Sequence, residues 1–288
     1  MDFILYILLP QILHGLVLGV MIALISLGLT VVFGLMDVVN FAHGEFYMLG
    51  AFAGYYSLSL FPNFWMAVLV GGVSVAIFGI IIEMVMLRPL YKSESIFQLL
   101  LTFGLGLVLR ELIRATAGGD TLRVELPISR AIEFLGMVYP VYRLVILGIG
   151  VALLGIIWWL INRTSAGSIL RAASQDRQMS IALGINVAGV FTMTFALGVG
   201  LAGLAGVLMS PVYFVYPTMG VDIILRCFIV VIMGGMGSIA GAIIAALIIG
   251  EVESLASLVI SPTWAETLIF VVLIATMIFK PHGIGGKA

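Results

Sequence analysis

From Gln11 to Leu35 the chain runs without a single Asp, Glu, Lys or Arg. As an α-helix this stretch is about 37 Å long, enough to cross the roughly 30 Å hydrocarbon core of a bilayer. Further apolar runs follow at Gly44 to Leu60, Trp65 to Leu87, Ile96 to Ala117, Val141 to Ile161, Ala188 to Ser210, Ile223 to Met233, Ser238 to Leu255 and Glu266 to Phe279. Backbone N–H and C=O groups find no water in hydrocarbon, so each run must satisfy them internally as a helix, and the period-two alternation of a membrane barrel is absent. Only 9% of the 288 residues are charged, against about a quarter in soluble domains. The expected fold is all-α, a polytopic transmembrane helix bundle of about eight or nine spans in one domain over residues 1–288. The count turns on the short run Ile223 to Met233.

The polar remainder is confined to Arg88–Ser95, Gly118–Pro140, Asn162–Val187 and Lys280–Ala288. Alternating spans put Arg88, Lys92, Arg163, Arg171, Arg177, Lys280 and Lys287 on one side. Basic short loops stay in the cytoplasm, which places that side inside and the N-terminus outside. Arg110, Arg114, Arg123, Arg130 and Arg143 then fall at or beyond the outer face, interleaved with Glu111, Asp120, Glu125 and Glu133. Met1–Leu9 has no basic leader and flows into the first span, as its beginning and not as a cleaved signal. A net charge of -1, with basic residues at span ends, offers no nucleic-acid surface. Cys227, alone in an apolar run, is a packing residue.

The segment 162–187 is the long polar stretch between two spans. Ile169, Ala172, Ala173, Met179 and Leu183 recur at helical spacing beside Arg171, Ser174, Gln175 and Gln178. That pattern predicts one amphipathic helix or two short ones, with Asp176 as N-cap of the second and Gly184 as its stop. Asn162-Arg163-Thr164 matches a glycosylation sequence, but lies on the cytoplasmic side.

The chain has 34 glycines. Many form small-xxx-small pairs inside spans, as at Gly15/Gly19, Gly50/Gly54 and Gly237/Gly241, which let helix backbones approach in lipid. Leu29–Ala51 and Phe228–Ala246 both run apolar into a glycine-bearing break and then into a small-residue helix, a weak internal repeat. Two such broken helices are a pointer to a transport path. Asn40, His43 and Glu45, with Asp37 just before, form the densest polar cluster near a span and are the candidate path residues. Their structural alternative is Asn40 capping the second helix with Glu45 near its positive N-terminus. His14 and His282 lie too far along the chain to complete a metal site. Glu83 is within reach of Arg88, Arg110 and Arg114 are expected as interfacial anchors unless their shared face lines the cavity, and Asp222 and Arg226, four apart, as a local pair.

No G-x-x-x-x-G-K-[ST], G-x-S-x-G or H-E-x-x-H occurs, so there is no P-loop and no catalytic residue to name. A helix bundle with polar breaks, a cytosolic amphipathic segment and no energy-converting motif predicts a pore subunit driven by another protein. The alternative is a stand-alone proton-coupled secondary transporter or channel using His43 and Glu45.

Residues 28–51, GLTVVFGLMDVVNFAHGEFYMLGA, closely resemble the N-x-A-H-G-x-x-x-M-x-G-A signature of permease subunits of branched-chain amino acid ABC importers, the LivH type. Glu83 with Arg88-Pro89-Leu90 is similar to their E-x-x-x-x-R-P-L segment, Arg171 to Ile185 to the motif that contacts the ATPase, and Gly234 to Ala242 to G-G-x-G-S-x-x-G-A. The chain departs from the pattern at Ser168, where members commonly carry arginine, and at Arg226, where lysine is frequent. The resemblance implies a multi-pass permease of a bacterial or archaeal cytoplasmic (inner) membrane, not itself an enzyme. It implies four partners besides lipid: a homologous or identical second permease, two ATPase subunits and a soluble substrate-binding protein. ATP and Mg would be held by the ATPase, with no cofactor or metal in this chain. Residues 162–187 would be the coupling segment, with Arg171, Gln175, Asp176, Arg177 and Gly184 at the ATPase. Similar permeases serve branched-chain or other neutral amino acids, urea, short amides and aromatic acids.

Overall fold

The computed structural model describes residues 4–134 and 137–286; Lys287, one of the bases that set the expected orientation, lies outside them, as do Met1 to Phe3. Eleven α-helices are formed among the described residues, besides short π or 3-10 segments at Ile4–Leu8, Glu83–Leu87 and Arg88–Lys92: α1 (Leu9–Met36), α2 (His43–Leu60), α3 (Phe64–Ile82), α4 (Ser95–Ala117), α5 (Val141–Arg163), α6 (Ser165–Gln175), α7 (Arg177–Ala182), α8 (Val187–Met209), α9 (Met219–Gly234), α10 (Ile239–Ala256) and α11 (Pro262–Phe279). The single non-helical element is an unforeseen hairpin of β1 (Ala131–Phe134) and β2 (Met137–Pro140), antiparallel with Ile132 opposite Tyr139.

Among the described residues, seven helices are long and apolar enough to cross a membrane. The two that fall short, α2 and α9, account for the difference from eight or nine: α9 has 16 residues, and α2, with 18, carries His43 and Glu45 in its first turn; both begin part-way through the bundle. After α1, Asp37 takes a left-handed conformation (φ 56°) that a short polar side chain tolerates, and the chain turns back on itself. The next residues climb beside α1 until the His43 ring stands 3.0 Å from the Ile25 carbonyl oxygen. Ile25 lies three turns, about 16 Å, before the end of α1. The α2 helix then runs parallel to α8, with Gly50 against Gly203 and Gly54 against Val207, which sets Gly44 level with the middle of α8. At that level a methyl group on Gly44 would overlap the Gly220 carbonyl oxygen, so α9 also starts at mid-depth.

The internal repeat is therefore real but differs from the expected one. A long helix, a re-entrant return, a half-depth helix and a hairpin into a third helix occur as α1–α2–α3 and again, running the opposite way, as α8–α9–α10. The copies cross where Gly28 and Gly198 touch backbone to backbone. Phe228–Ala246, paired with Leu29–Ala51 in the sequence, instead forms a tight helical hairpin. Gly235 (φ 91°) and Gly237 (φ 82°) make its turn, and only glycine adopts those angles without strain.

One end of the bundle carries α6, α7, Arg88, Lys92 and Lys280, as the grouping of bases required. The opposite end carries the β-hairpin and the 210–218 loop, joined to the 118–130 connection by the Leu122–Val215 bridge. Below, these are the basic end and the hairpin end.

Candidate functional site

The polar centre sits where the two half-depth helices meet nose to nose. Glu45, in the first turn of α2, is 2% exposed and accepts from Arg110 of α4 through Nε (3.1 Å) and Nη2 (2.5 Å) on one oxygen, Oε1. Its other oxygen faces Gly220 at the start of α9. Two helix N-termini and a guanidinium thus converge on one carboxylate, each favouring its charge. Arg110 was expected at the outer interface; it reaches inward because Glu45 is the partner available to it. Arg114, one turn on, fits the interfacial expectation, exposed and paired with Glu111 at 3.2 Å.

Asn40 does not cap α2. The N-cap position is Ala42, with no side-chain bond, and the Asn40 amide is fully buried with neither polar atom partnered. His43 Nδ1 and Glu45 Oε2 are likewise buried and unpartnered. The re-entrant backbone is instead satisfied by Thr102 of α4, whose hydroxyl accepts from the Phe41 N–H (3.2 Å) and lies 3.1 Å from the Val39 carbonyl oxygen. Phe41 packs between Phe228 (4.8 Å) and Phe103 (6.4 Å). Sequence reasoning missed Thr102; its signal was a lone hydroxyl in the apolar run LLLTFGLG.

Two cavities approach this layer. On the hairpin side, a cavity of about 430 Å³ reaches down to Ile25 and Tyr47. On the basic side, one of about 220 Å³ is bounded by Thr30, Leu35, Trp158 and Arg171. Asn40, His43 and Glu45 line neither, and the floor of one and roof of the other are separated along α1 by the residues between Ile25 and Thr30. Asp222 and Arg226 line the first cavity but do not pair with each other. Asp222 accepts from the Tyr216 hydroxyl (2.8 Å), while Arg226 binds Glu253 (3.1 Å) and Glu266 (2.7 Å).

At the basic end, α6 and α7 form as the pattern required. The Asp176 side chain accepts from the Met179 N–H at 2.8 Å, and Gly184 closes α7 at φ 81°. The candidate coupling residues divide by orientation. Arg171 donates to the Ile161 carbonyl, and Arg177 stacks over Tyr91 (5.2 Å) and Phe191 (5.4 Å), so both bind the segment to its own bundle. Gln175, Asp176 and Gly184 face outward beside exposed Met179, Ile181 and Leu183. Beneath Arg177, the fully buried Glu83 accepts from Arg88 (3.0 Å), Tyr91 (2.7 Å) and Thr192 of α8 (2.7 Å). The Glu83–Arg88 pair was legible; Tyr91 and Thr192, which extend it to α7 and α8, were not. Among the described residues no three His, Cys, Asp or Glu side chains gather as a metal site.

A family described as "Branched-chain amino acid transport system / permease component" matches residues 11–277. The chain belongs to that family. It is 30% identical to the high-affinity branched-chain amino acid transport system permease protein LivH of Salmonella typhimurium, over 97% of this chain and 96% of that protein. The BraD permease protein of Pseudomonas aeruginosa is 29% identical over 97% and 96%. A probable LivH of the archaeon Methanocaldococcus jannaschii is 28% identical over 92% and 89%. No solved structure matches. With seven spanning helices and these relatives, the chain is a multi-pass permease of the cytoplasmic membrane.

Proposed function

We propose that this permease is the membrane subunit of an ATP-driven importer for branched-chain or related neutral amino acids. In the assembly it pairs with a second permease, two ATPase subunits that hold ATP and Mg, and a soluble binding protein. The basic end faces the cytoplasm. The observation that carries the proposal is the outward apolar edge Met179, Ile181 and Leu183 on a capped helix pair fixed to the bundle by Arg177. An exposed apolar edge beyond the spans needs a protein partner, and a chain without a nucleotide motif needs an ATPase.

Movement of α7 passes through Arg177 to Tyr91 and Glu83, and so to both α3 and α8, whose glycines pack the half-depth helix α2. The layer of His43, Glu45 and Arg110 is the barrier between the two cavities, and Asn40, with its amide unpartnered, is part of it. Alternating access requires that this layer be arranged differently in the two states, since a partner shifts an equilibrium only by its differential affinity. A stand-alone proton-linked mechanism is disfavoured: Glu45 is held by Arg110, and His43 by a main-chain carbonyl.

Gly184→Ala places a side chain at φ 81°, at a cost of about 1–2 kcal/mol, although no neighbour lies within 4 Å. Asp176→Ala removes the cap of α7, about 1 kcal/mol. In reconstituted complexes the double variant should assemble and hydrolyse ATP while leucine uptake per ATP falls several-fold. Unchanged uptake per ATP in an intact complex would remove α7 from the coupling path.

A further inference from the structure

The hairpin-side cavity has a composition that the barrier layer does not explain. Its inner wall is apolar, built from Met21, Ile22 and Ile25 of α1 and Ile223 of α9. Its rim carries Asp222, Arg226 and Glu266. Asp222 and Arg226 are four apart in α9, which sets both on one helix face with Cβ atoms roughly 5–6 Å apart. At that spacing an unobstructed pair would form an ion pair, yet each is turned to a different neighbour. Both contacts of Arg226 fall on Nη2. A guanidinium has five N–H donors, so Nε and Nη1 keep three for another acceptor. Asp222 holds only the Tyr216 hydroxyl among its side-chain bonds, and a carboxylate has about four acceptor positions.

From this arrangement we infer that the cavity is a binding chamber for an α-amino acid zwitterion with an aliphatic side chain. The ammonium sits against Asp222, the carboxylate meets the free donors of Arg226, and the aliphatic group points inward along Ile22, Ile25 and Ile223. Glu253 and Glu266 hold the guanidinium in place, and Asp222 with Glu266 against the one arginine makes the rim net acidic, so the ammonium is the group more strongly selected. A volume of about 430 Å³ accommodates leucine with water beside it. The chamber ends at Ile25, the residue whose carbonyl meets His43, so a bound solute rests directly on the proposed barrier.

This inference rests on the permease function proposed above, and two measurements separate their failures. The first is L-leucine uptake by proteoliposomes holding the complete wild-type transporter. The second is equilibrium binding of labelled L-leucine to the assembled permease–ATPase complex in nanodiscs, without binding protein. Asp222→Asn keeps size and shape while removing the charge, and should weaken leucine binding at least tenfold. It should also shrink the preference for leucine over 4-methylpentanoate, which lacks the ammonium, a change that a merely structural role would not produce. Ile223→Trp fills the chamber and should abolish saturable binding. Co-elution of all subunits verifies that each variant is assembled; if Ile223→Trp does not assemble, Asp222→Asn decides alone. Uptake of leucine by wild type together with absent binding, or with binding unaltered in Asp222→Asn, overturns the chamber and leaves the permease function standing. A wild-type transporter that takes up no leucine overturns both.

Discussion

Replacing Glu45 with glutamine should destabilise the permease more than any other single change of a polar side chain. The pair it forms with Arg110 is buried on the glutamate side and 23% exposed on the arginine side. Removing one member leaves a guanidinium facing two positive helix ends, and breaking a buried pair in this way costs about 3–5 kcal/mol. Arg110 lies about two turns from the end of α4 and would withdraw toward the interface, as long basic side chains do. The clamp of α4 on the re-entrant segment would then rest on Thr102, the Phe41–Phe103 contact and the packing of Gly106 against Ala42. The expected result is a large drop in the thermal midpoint of the detergent-solubilised complex and new proteolytic cleavage near residues 37–42. Glu45→Gln combined with Arg110→Met should recover most of the loss, because the stranded charge goes with its partner. Arg110→Lys in the same background should not, since it keeps a positive charge facing a neutral amide and two helix N-termini. Strictly additive effects in this double-mutant cycle would show that the two residues do not act as a pair.

What was legible in the sequence follows the distance over which each signal acts. Apolar runs, the Asp176 cap, the Gly184 stop and the Glu83–Arg88 pair depend on residues within a turn or two of each other, and all appear where the pattern put them. Contacts between distant segments were not legible. Nothing local distinguishes Arg110 at the interface from Arg110 turned toward Glu45, 65 positions away in the chain. The same holds for Arg226, whose partners Glu253 and Glu266 sit on other helices, and so the i,i+4 spacing with Asp222 misled. The repeat was misaligned for a related reason. Glycines in a tight hairpin and glycines at a helix crossing look the same in one dimension, and only the positive φ at Gly235 and Gly237 separates the two uses. Asn40, His43 and Glu45 are all buried within six residues of chain, and they line neither of the two cavities described above. Sequence polarity cannot distinguish burial from the lining of a cavity.

Gly44→Val should be still more damaging than loss of Glu45, although it changes no charge. A methyl group there would overlap the Gly220 carbonyl oxygen and stand 2.9 Å from Cβ of Ile224. A flexible side chain can move aside from such an intrusion, but a helix backbone cannot, so α2 and α9 must separate. Overpacking a core costs typically about 1–3 kcal/mol even where side chains can adjust. In lipid the loss is compounded, because helix association rests on close van der Waals contact and interhelical polar bonds, with little hydrophobic drive to restore it. Separation would also draw Glu45 away from the start of α9 and loosen the barrier between the cavities. The expected outcome is little or no folded permease in the membrane fraction. Gly155→Ala provides the contrast: its Cβ meets nothing within 4 Å and it sits inside the regular helix α5, so the substitution should be neutral or stabilise by up to about 1 kcal/mol. If Gly44→Val and Gly155→Ala accumulated to the same level with the same thermal midpoint, the nose-to-nose packing of the two half-depth helices would be wrong. The barrier assigned to them would fall with it.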